Sequence, residues 1–315
     1  MRDQDELLIS RRDALRYGIG AGVALRFARF DQLRALLAQN PQLVQRAIPS
    51  SGEKLTVVGI GTRDFGSATR DALREELKAF PGLGGQVIDT APSYGGSEVA
   101  IGDLVAELGI RSKLFLANKV NAGRASDVAA AVKQQFETGL TRLKTDKLDL
   151  LQVHNLAAVE PSLALLREYK QAGRIRYVGI TTSSDNQYAQ MAAIMKKEAL
   201  DFIQVDYAIN NRLAADTILP LAKDRGQGVL INLPFGRRSA LEKTTNKPVP
   251  AWAKDIGCTT WAQIFLKYVV SHSAVTVAIP GTRSLDHLTD NMAAAHGTLP
   301  DAAMRKRIET EYDAL

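Results

Sequence analysis

The amino-acid sequence predicts an α/β protein built as a (β/α)8 barrel, or TIM barrel, with a helical or signal-like extension at its N-terminus. Eight short apolar runs rich in Val and Ile follow residue 54, and segments with helical periodicity separate them. No G-x-G-x-x-G motif follows a strand-like run, which counts against an open doubly wound sheet. We therefore divide the chain into an extension over residues 1–50 and a barrel over residues 51–315.

The extension is set apart by its basic residues, which are eight arginines and no lysine within the first 50 positions. Arg11 and Arg12 precede an apolar run in SRRDALRYGIGAGVAL, a pattern that resembles a twin-arginine export signal. This interpretation predicts contact with an export machinery through residues 10–25 and a periplasmic location. The alternative is an amphipathic helix packed on the barrel, which is compatible with a cytoplasmic location.

The eight predicted strands have the length and β-branched content of buried strands. The runs in chain order are LTVVGIG, QVIDT, LFLANKV, LDLLQVH, IRYVGIT, FIQVDY, GVLIN and AVTVAIP. The segments between them, such as residues 126–143 and 161–173, space apolar residues by three and four. That spacing is typical of helices packed on a sheet.

Composition and charge exclude several classes of protein. Cys258 is the single cysteine, and the four histidines show no metal-ligand spacing, so we predict neither a disulfide nor a metal site. The net charge is +6, but the basic residues are mostly dispersed among acidic ones, so we predict no nucleic-acid binding. No stretch reaches the roughly 18 apolar residues of a membrane-spanning helix.

Four polar residues follow the second, third and fourth predicted strands. Asp89 ends the second strand, Tyr94 lies in the next loop, Lys119 ends the third strand and His154 ends the fourth. Each could have a structural role alone, as a turn cap, a loop anchor or a surface residue. Barrel active sites are built at the carboxyl ends of the strands, so the convergence of all four predicts a catalytic site.

These residue types suit proton donation to a carbonyl oxygen. A tyrosine in water has a pKa near 10 and is a weak acid at neutral pH, but an adjacent ammonium favours its ionised form. We assign Tyr94 as the general acid, Lys119 as the adjacent charge and Asp89 as the carboxylate partner of Lys119. His154 is the candidate donor of a hydrogen bond to the substrate oxygen.

The long connection over residues 235–257 is the candidate lid or specificity loop. Phe235 and Trp252 are its aromatic candidates for lining a substrate pocket, and Trp252 is equally compatible with a packed position under the loop.

In these features the sequence resembles the aldo-keto reductase superfamily, over residues 53–300. The tetrad Asp89, Tyr94, Lys119 and His154 occurs in the order of that family, together with VVGIGT, GRIRYVGIT, FIQVDYAINNR and AIPGTRSLDHLTDN. AIPSSGEKL and WAKDIGCTTWAQ are similar to a bacterial branch whose members often carry twin-arginine signals. The resemblance implies NADP(H), or alternatively NAD(H), bound along the strand ends, with hydride transferred to an aldehyde or ketone.

The resemblance also implies a cofactor site with two departures at the nicotinamide end. Thr182 and Gln204 stand where the family holds the carboxamide, although Thr181 and Thr182 replace the usual Ser and Asn pair. Asn232 replaces the aromatic residue that commonly stacks on the nicotinamide ring, which predicts looser cofactor binding.

At the other end of the cofactor, Arg283 stands at the position where members of the family bind the 2′-phosphate of NADPH. Gly281 and His287 replace residues that are basic in many relatives. The cofactor-binding residues that the resemblance implies are Gly61, Thr62, Asp89, Thr181, Thr182, Gln204, Asn232, Leu233, Pro234, Phe235, Gly236, Gly281, Thr282, Arg283, His287, Asp290 and Asn291.

Two functions follow from this resemblance. The first is an NADPH-dependent carbonyl reductase of small aldehydes or ketones. The second is an NADP(H)-binding redox-sensing module with little turnover, which the altered seventh strand and the N-terminal extension keep open.

Overall fold

The computed structural model describes residues 42–315. The twin-arginine motif and most of the predicted extension therefore lie outside the described residues. Within residues 42–315, no helix is long and apolar enough to cross a membrane. The same part of the chain holds no group of three or more His, Cys, Asp or Glu side chains arranged to bind a metal ion.

Eight parallel strands form one sheet that curls into a barrel, as the sequence predicts. Neighbouring strands pair in chain order, and isolated bridges from Val58 to Ala278 and from Gly61 to Gly281 bring the first and last strands together. The barrel strands are β3 Ile60–Gly61, β4 Val87–Asp89, β5 Phe115–Val120, β6 Leu148–His154, β7 Ile175–Thr181, β8 Phe202–Asp206, β9 Gly228–Asn232 and β10 Val277–Ala278.

Helices surround the barrel and alternate with its strands. The α-helices are α1 Arg70–Ala79, α2 Ser97–Leu108, α3 Val128–Leu143, α4 Val159–Gln171, α5 Tyr188–Lys197, α6 Ile218–Asp224, α7 Ser239–Lys243, α8 Trp261–Val270, α9 Leu285–Ala293 and α10 Ala302–Asp313. Short 3-10 helices occupy Phe65–Ser67, Phe80–Leu83, Arg111–Lys113, Asp185–Gln187, Leu213–Ala215 and Ala251–Ile256.

The first predicted strand is divided in the structure, so the prediction of one continuous strand over LTVVGIG is wrong. Its start belongs to β2 (Lys54–Thr56), which pairs antiparallel with β1 (Gln45–Ala47), and only its end, β3, joins the barrel. Ile48 and Leu55 of this hairpin pack against the barrel interior. The hairpin therefore closes the amino-terminal end of the barrel.

Side chains inside the barrel form an apolar layer beneath a polar layer. Because side chains alternate between the two faces of a strand, residues two positions apart point the same way. Five interior apolar residues are each followed two positions later by a polar one, which places the polar set at the carboxyl ends of the strands. The apolar members are Val87, Ala117, Leu150, Phe202 and Leu230, and the polar members are Asp89, Lys119, Gln152, Gln204 and Asn232.

Candidate active site

A buried ion pair forms the centre of the polar layer. Lys119 Nζ donates to Asp89 Oδ2 at 2.6 Å and to the Thr90 carbonyl oxygen at 2.8 Å. Lys119 and Asp89 are 1% and 2% exposed, so their charges are shielded from water. A charge buried to this degree requires a partner, which each provides for the other.

The two charges change each other's protonation equilibrium. Burial alone lowers the pKa of Lys119, but the Asp89 carboxylate and the Tyr94 hydroxyl outweigh burial and raise that pKa above its usual value. Burial raises the pKa of Asp89, and its interactions with Lys119, Gln204 and Gln152 oppose that rise. Lys119 therefore remains a cation at neutral pH.

Tyr94 lies directly beside this cation. Its ring centroid is 5.0 Å from Lys119 Nζ, and its loop turns back through a hydrogen bond from the Tyr94 amide to the Ala91 carbonyl, 3.0 Å long. Gly95 follows at φ +60°, and Gly66 of the preceding loop packs so closely that an added Cβ would lie 2.9 Å from the Gly96 nitrogen. These glycines hold the tyrosine loop against the barrel rim.

His154 meets Tyr94 edge to face on the other side of the site. Their ring centroids are 6.1 Å apart, with an interplanar angle of 85°. Burial, and then the nearby charge of Lys119, lower the pKa of His154 to about 4. The imidazole is therefore neutral at pH 7, and a neutral imidazole keeps one N–H donor. The structure thus brings all four predicted catalytic residues together.

Gln152 also takes part in this cluster, although we did not select it from the sequence. Its Nε2 lies 3.4 Å from Asp89 Oδ1, and Gln204 Nε2 lies 3.3 Å from Asp89 Oδ2. Gln152 is two residues before His154, so the period of two along the strand was the signal that could have identified it. Both glutamines help to hold the Asp89 carboxylate in place.

Several buried amide oxygens in the polar layer have no hydrogen-bond partner. They are Oε1 of Gln152, Oε1 of Gln204 and Oδ1 of Asn232. Buried acceptors without a donor are uncommon in native proteins and mark a place where a donor is expected. The carboxamide N–H groups of a nicotinamide are donors of the required kind, so this layer fits the predicted cofactor.

The residues predicted for the nicotinamide end contact one another at the ends of β7, β8 and β9. The Thr182 amide donates to the Gln204 carbonyl at 3.0 Å, and Asn232 Nδ2 donates to the Thr182 carbonyl at 3.0 Å. The Thr182 hydroxyl donates to Gln187 Oε1 at 2.5 Å. Thr181 pairs in the sheet with His154 and Gln204. The backbone at this rim is therefore fixed by local bonds.

The loop after β9 forms a tight turn with two residues at positive φ. Leu233 and Gly236 adopt φ +49° and +55°, and the Gly236 amide donates to the Leu233 carbonyl at 2.8 Å. A Cβ on Gly236 would lie 2.0 Å from Asn210 Oδ1, so a larger residue there would displace the Asn210 side chain. Pro234 is buried, and Phe235 is half-buried.

The residues predicted for the adenosine-phosphate end lie after β10 and on α9. Arg283, His287 and Gly281 are exposed, whereas Thr282 and Asn291 are buried. Two other predicted residues use their side chains within the protein. Asp290 accepts from Thr260 at 2.9 Å and from Gln263 at 2.7 Å, and Thr62 donates to the Asp89 carbonyl at 2.9 Å. Gly61 bridges to Gly281 at the seam of the barrel.

The long loop over residues 235–257 is folded and anchored. It contains α7 and a 3-10 helix, and Trp252 is only 6% exposed. The Trp252 indole N–H donates to the Glu311 carboxylate of α10 at 2.7 and 2.8 Å. Trp252 therefore occupies the packed position and does not line an open pocket.

A cleft of about 800 Å³ lies at the opposite, amino-terminal end of the barrel. Arg111, Asp149 and Arg176 line it, and the two arginines bond to Asp149 at 3.1 and 2.9 Å. Asp149 is paired with both arginines, and the cleft shares no residue with the tetrad. The cleft is separate from the candidate active site.

Comparisons with known proteins agree with this arrangement. The sequence profile described as "Aldo/keto reductase family" matches residues 57–310. Methylglyoxal reductase YeaE from Escherichia coli is 31% identical over 277 residues, which are 82% of this chain and 93% of that protein. Aldo-keto reductase YhdN from Bacillus subtilis is 30% identical over 194 residues, which are 56% of this chain and 58% of that relative. The crystal structure of an aldo-keto reductase from Klebsiella pneumoniae in complex with NADPH has a similar fold, with a TM-score of 0.72 at 24% identity over 86% of this chain and 96% of that one.

Proposed function

The chain belongs to the Aldo/keto reductase family, and on that premise we propose that it is an NADPH-dependent carbonyl reductase with Tyr94 as the general acid. The substrate class is a small aldehyde or ketone. One observation carries the proposal: the buried Lys119–Asp89 ion pair lies beside Tyr94, whose other neighbour is the neutral His154.

The four side chains divide the protonation chemistry among them. The Tyr94 hydroxyl gives its proton to the carbonyl oxygen, and the Lys119 ammonium stabilises the phenolate that remains. Asp89 keeps Lys119 charged in its buried position. His154 donates an N–H to the same substrate oxygen and so orients the carbonyl.

NADP(H) is the cofactor that we propose for this site. When bound, the reduced nicotinamide supplies the hydride that reduces the carbonyl carbon. Gln204 and Asn232 would hold the carboxamide through their unpartnered oxygens. Arg283 would meet the 2′-phosphate, since a guanidinium matches a phosphate in charge and geometry.

The redox-sensing module is the second candidate, and Asn232 is the observation that favours it. An amide at the position where relatives stack an aromatic ring on the nicotinamide loses a stacking contribution to the binding free energy of about 0.5 to 1.5 kcal/mol. Weaker ring placement lowers turnover more readily than it prevents nucleotide binding at the phosphate end.

The test is the oxidation of NADPH, followed by its near-ultraviolet absorbance, with a panel of aldehydes and ketones. Methylglyoxal belongs first in the panel, because the similar Escherichia coli protein is a methylglyoxal reductase. Turnover above that of Tyr94→Phe supports the reductase. Tight NADPH binding without turnover of any carbonyl would support the module instead.

A further inference from the structure

Glu76 is a buried carboxyl group outside the tetrad, and no basic side chain of residues 42–315 forms an ion pair with it. It lies on α1 and is 0% exposed, and neither of its carboxylate oxygens has a hydrogen-bond partner. An ionised carboxylate is costly in such surroundings, so a group of this kind is expected to bind a proton instead. Burial raises the pKa of Glu76 to about 7, and an interaction with the Thr282 hydroxyl opposes the rise.

The position of Glu76 connects it to the predicted phosphate end of the cofactor site. Thr282 immediately precedes Arg283, and α1 packs against α9, which follows this loop. The Thr282 hydroxyl also donates to the Ser284 carbonyl at 3.1 Å. A charge on Glu76 would therefore act on the loop that is proposed to receive the 2′-phosphate.

Charged groups also lie on the elements packed around α1. On α2 these are Glu98, Asp103 and Glu107, which form ion pairs with arginine or lysine side chains. Near the loop they are Arg283, Asp286, His287 and Asp290. Burial and Thr282 are the causes of the Glu76 shift, so its protonation follows from its own surroundings.

We propose that Glu76 is a specificity-determining residue for the cofactor: its neutral form admits the 2′-phosphate of NADPH, and its ionised form selects against it. The inference rests on the proposed function, because it uses the same nucleotide site. A dianionic phosphate and a carboxylate repel each other, and the buried position of Glu76 leaves its charge weakly screened by water. Binding of NADPH then takes up a proton at Glu76, whereas NADH, which has no 2′-phosphate, binds with little change there.

The test compares NADPH and NADH affinities in wild type, Glu76→Gln and Glu98→Gln at pH 6.5 and 8.0, by quenching of tryptophan fluorescence. Glu98 is the matched control, because it is 1% exposed but paired with Arg142 at 3.0 Å. The ratio of the two affinities in one sample does not depend on the fraction folded. Titration of the phosphate itself is common to all three proteins.

The NADPH preference is the ratio of NADPH affinity to NADH affinity. From pH 6.5 to pH 8.0 we expect this ratio to fall about tenfold more in wild type than in Glu76→Gln. Glu98→Gln is expected to follow wild type. Equal pH dependence in wild type and Glu76→Gln would overturn the inference and leave the proposed function intact. Failure of wild type to bind either nucleotide would instead refute the proposed function.

Calorimetric titration of wild type in two buffers of different ionisation enthalpy gives a measurement that needs no variant. We expect proton uptake on NADPH binding at pH 7.5 and much less on NADH binding. Proton release, or equal uptake for both nucleotides, would contradict a role for Glu76.

Discussion

At the scale of single residues, the chemistry of the site was predictable where side-chain type and strand-end position coincide. Asp89, Lys119 and His154 met both conditions, Tyr94 lies in the loop that follows one of these strand ends, and the structure brings the four together. Glu76 could not be predicted, because its burial depends on how α1 packs against α9. The sequence of α1 alone does not distinguish Glu76 from an exposed polar residue of a helix.

The pH dependence of stability tests the protonation of Glu76. A carboxyl with a raised pKa in the folded state ionises at a lower pH in the unfolded state than in the folded state. The unfolding free energy of wild type therefore falls as the pH rises above 4.5, and it levels off above about pH 7. We expect the unfolding free energy of Glu76→Gln, relative to wild type, to grow by up to about 3 kcal/mol between pH 4.5 and 8. Urea unfolding at several pH values measures this.

Glu98→Gln is the control for that series, because it removes the charge of a buried carboxylate that pairs with Arg142. We expect it to be less stable than wild type at pH 8. A Glu76→Gln difference that does not change with pH would show that folding does not raise the pKa of Glu76.

At the scale of elements, periodicity identified the strands but not how the first of them is used. LTVVGIG reads as one strand because its apolar residues are continuous, yet tertiary pairing assigns its start to the hairpin with β1. The loop over residues 235–257 reads as irregular because of its Pro, Lys and Gly content. Its order comes from α10, a contact distant in sequence that local patterns cannot report.

The anchoring of this loop is testable at Glu311. Glu311→Ala removes the acceptor of the Trp252 indole N–H and the partner of Arg307. Hydrogen bonds to charged groups contribute about 1.5 to 3 kcal/mol, so we expect faster tryptic cleavage within residues 235–257 of the folded protein. Glu160→Ala, which breaks an exposed pair with Lys197, is the control and is expected to leave cleavage unchanged. Equal cleavage rates in both variants would show that α10 does not hold the loop.

At the scale of the whole molecule, the number and order of strand-like runs predicted the barrel correctly. Eight runs separated by helices leave few ways to bury every strand, and closure through Gly61 and Gly281 is one that removes the sheet edges. The chain is an oxidoreductase of the aldo/keto reductase family. The substrate specificity depends on the loops, and the eight strand-like runs do not determine the shape of these loops.

The two interpretations of residues 1–50 predict different locations for the whole protein. If Arg11 and Arg12 form an export signal, changing both to Lys is expected to retain the protein in the cytoplasm of a bacterial host. Cell fractionation with immunodetection measures this. Wild type that fractionates in the cytoplasm with residues 1–49 still attached would support the packed-helix interpretation.

The most direct measurement of the central proposal is the rate of a single turnover in Tyr94→Phe at saturating NADPH, with NADPH affinity measured on the same sample. The account predicts unchanged affinity and a reduction rate lower by roughly 10²-fold or more, the scale of general acid catalysis. A variant that reduces the carbonyl at the wild-type rate would contradict the assignment of Tyr94 as the proton donor.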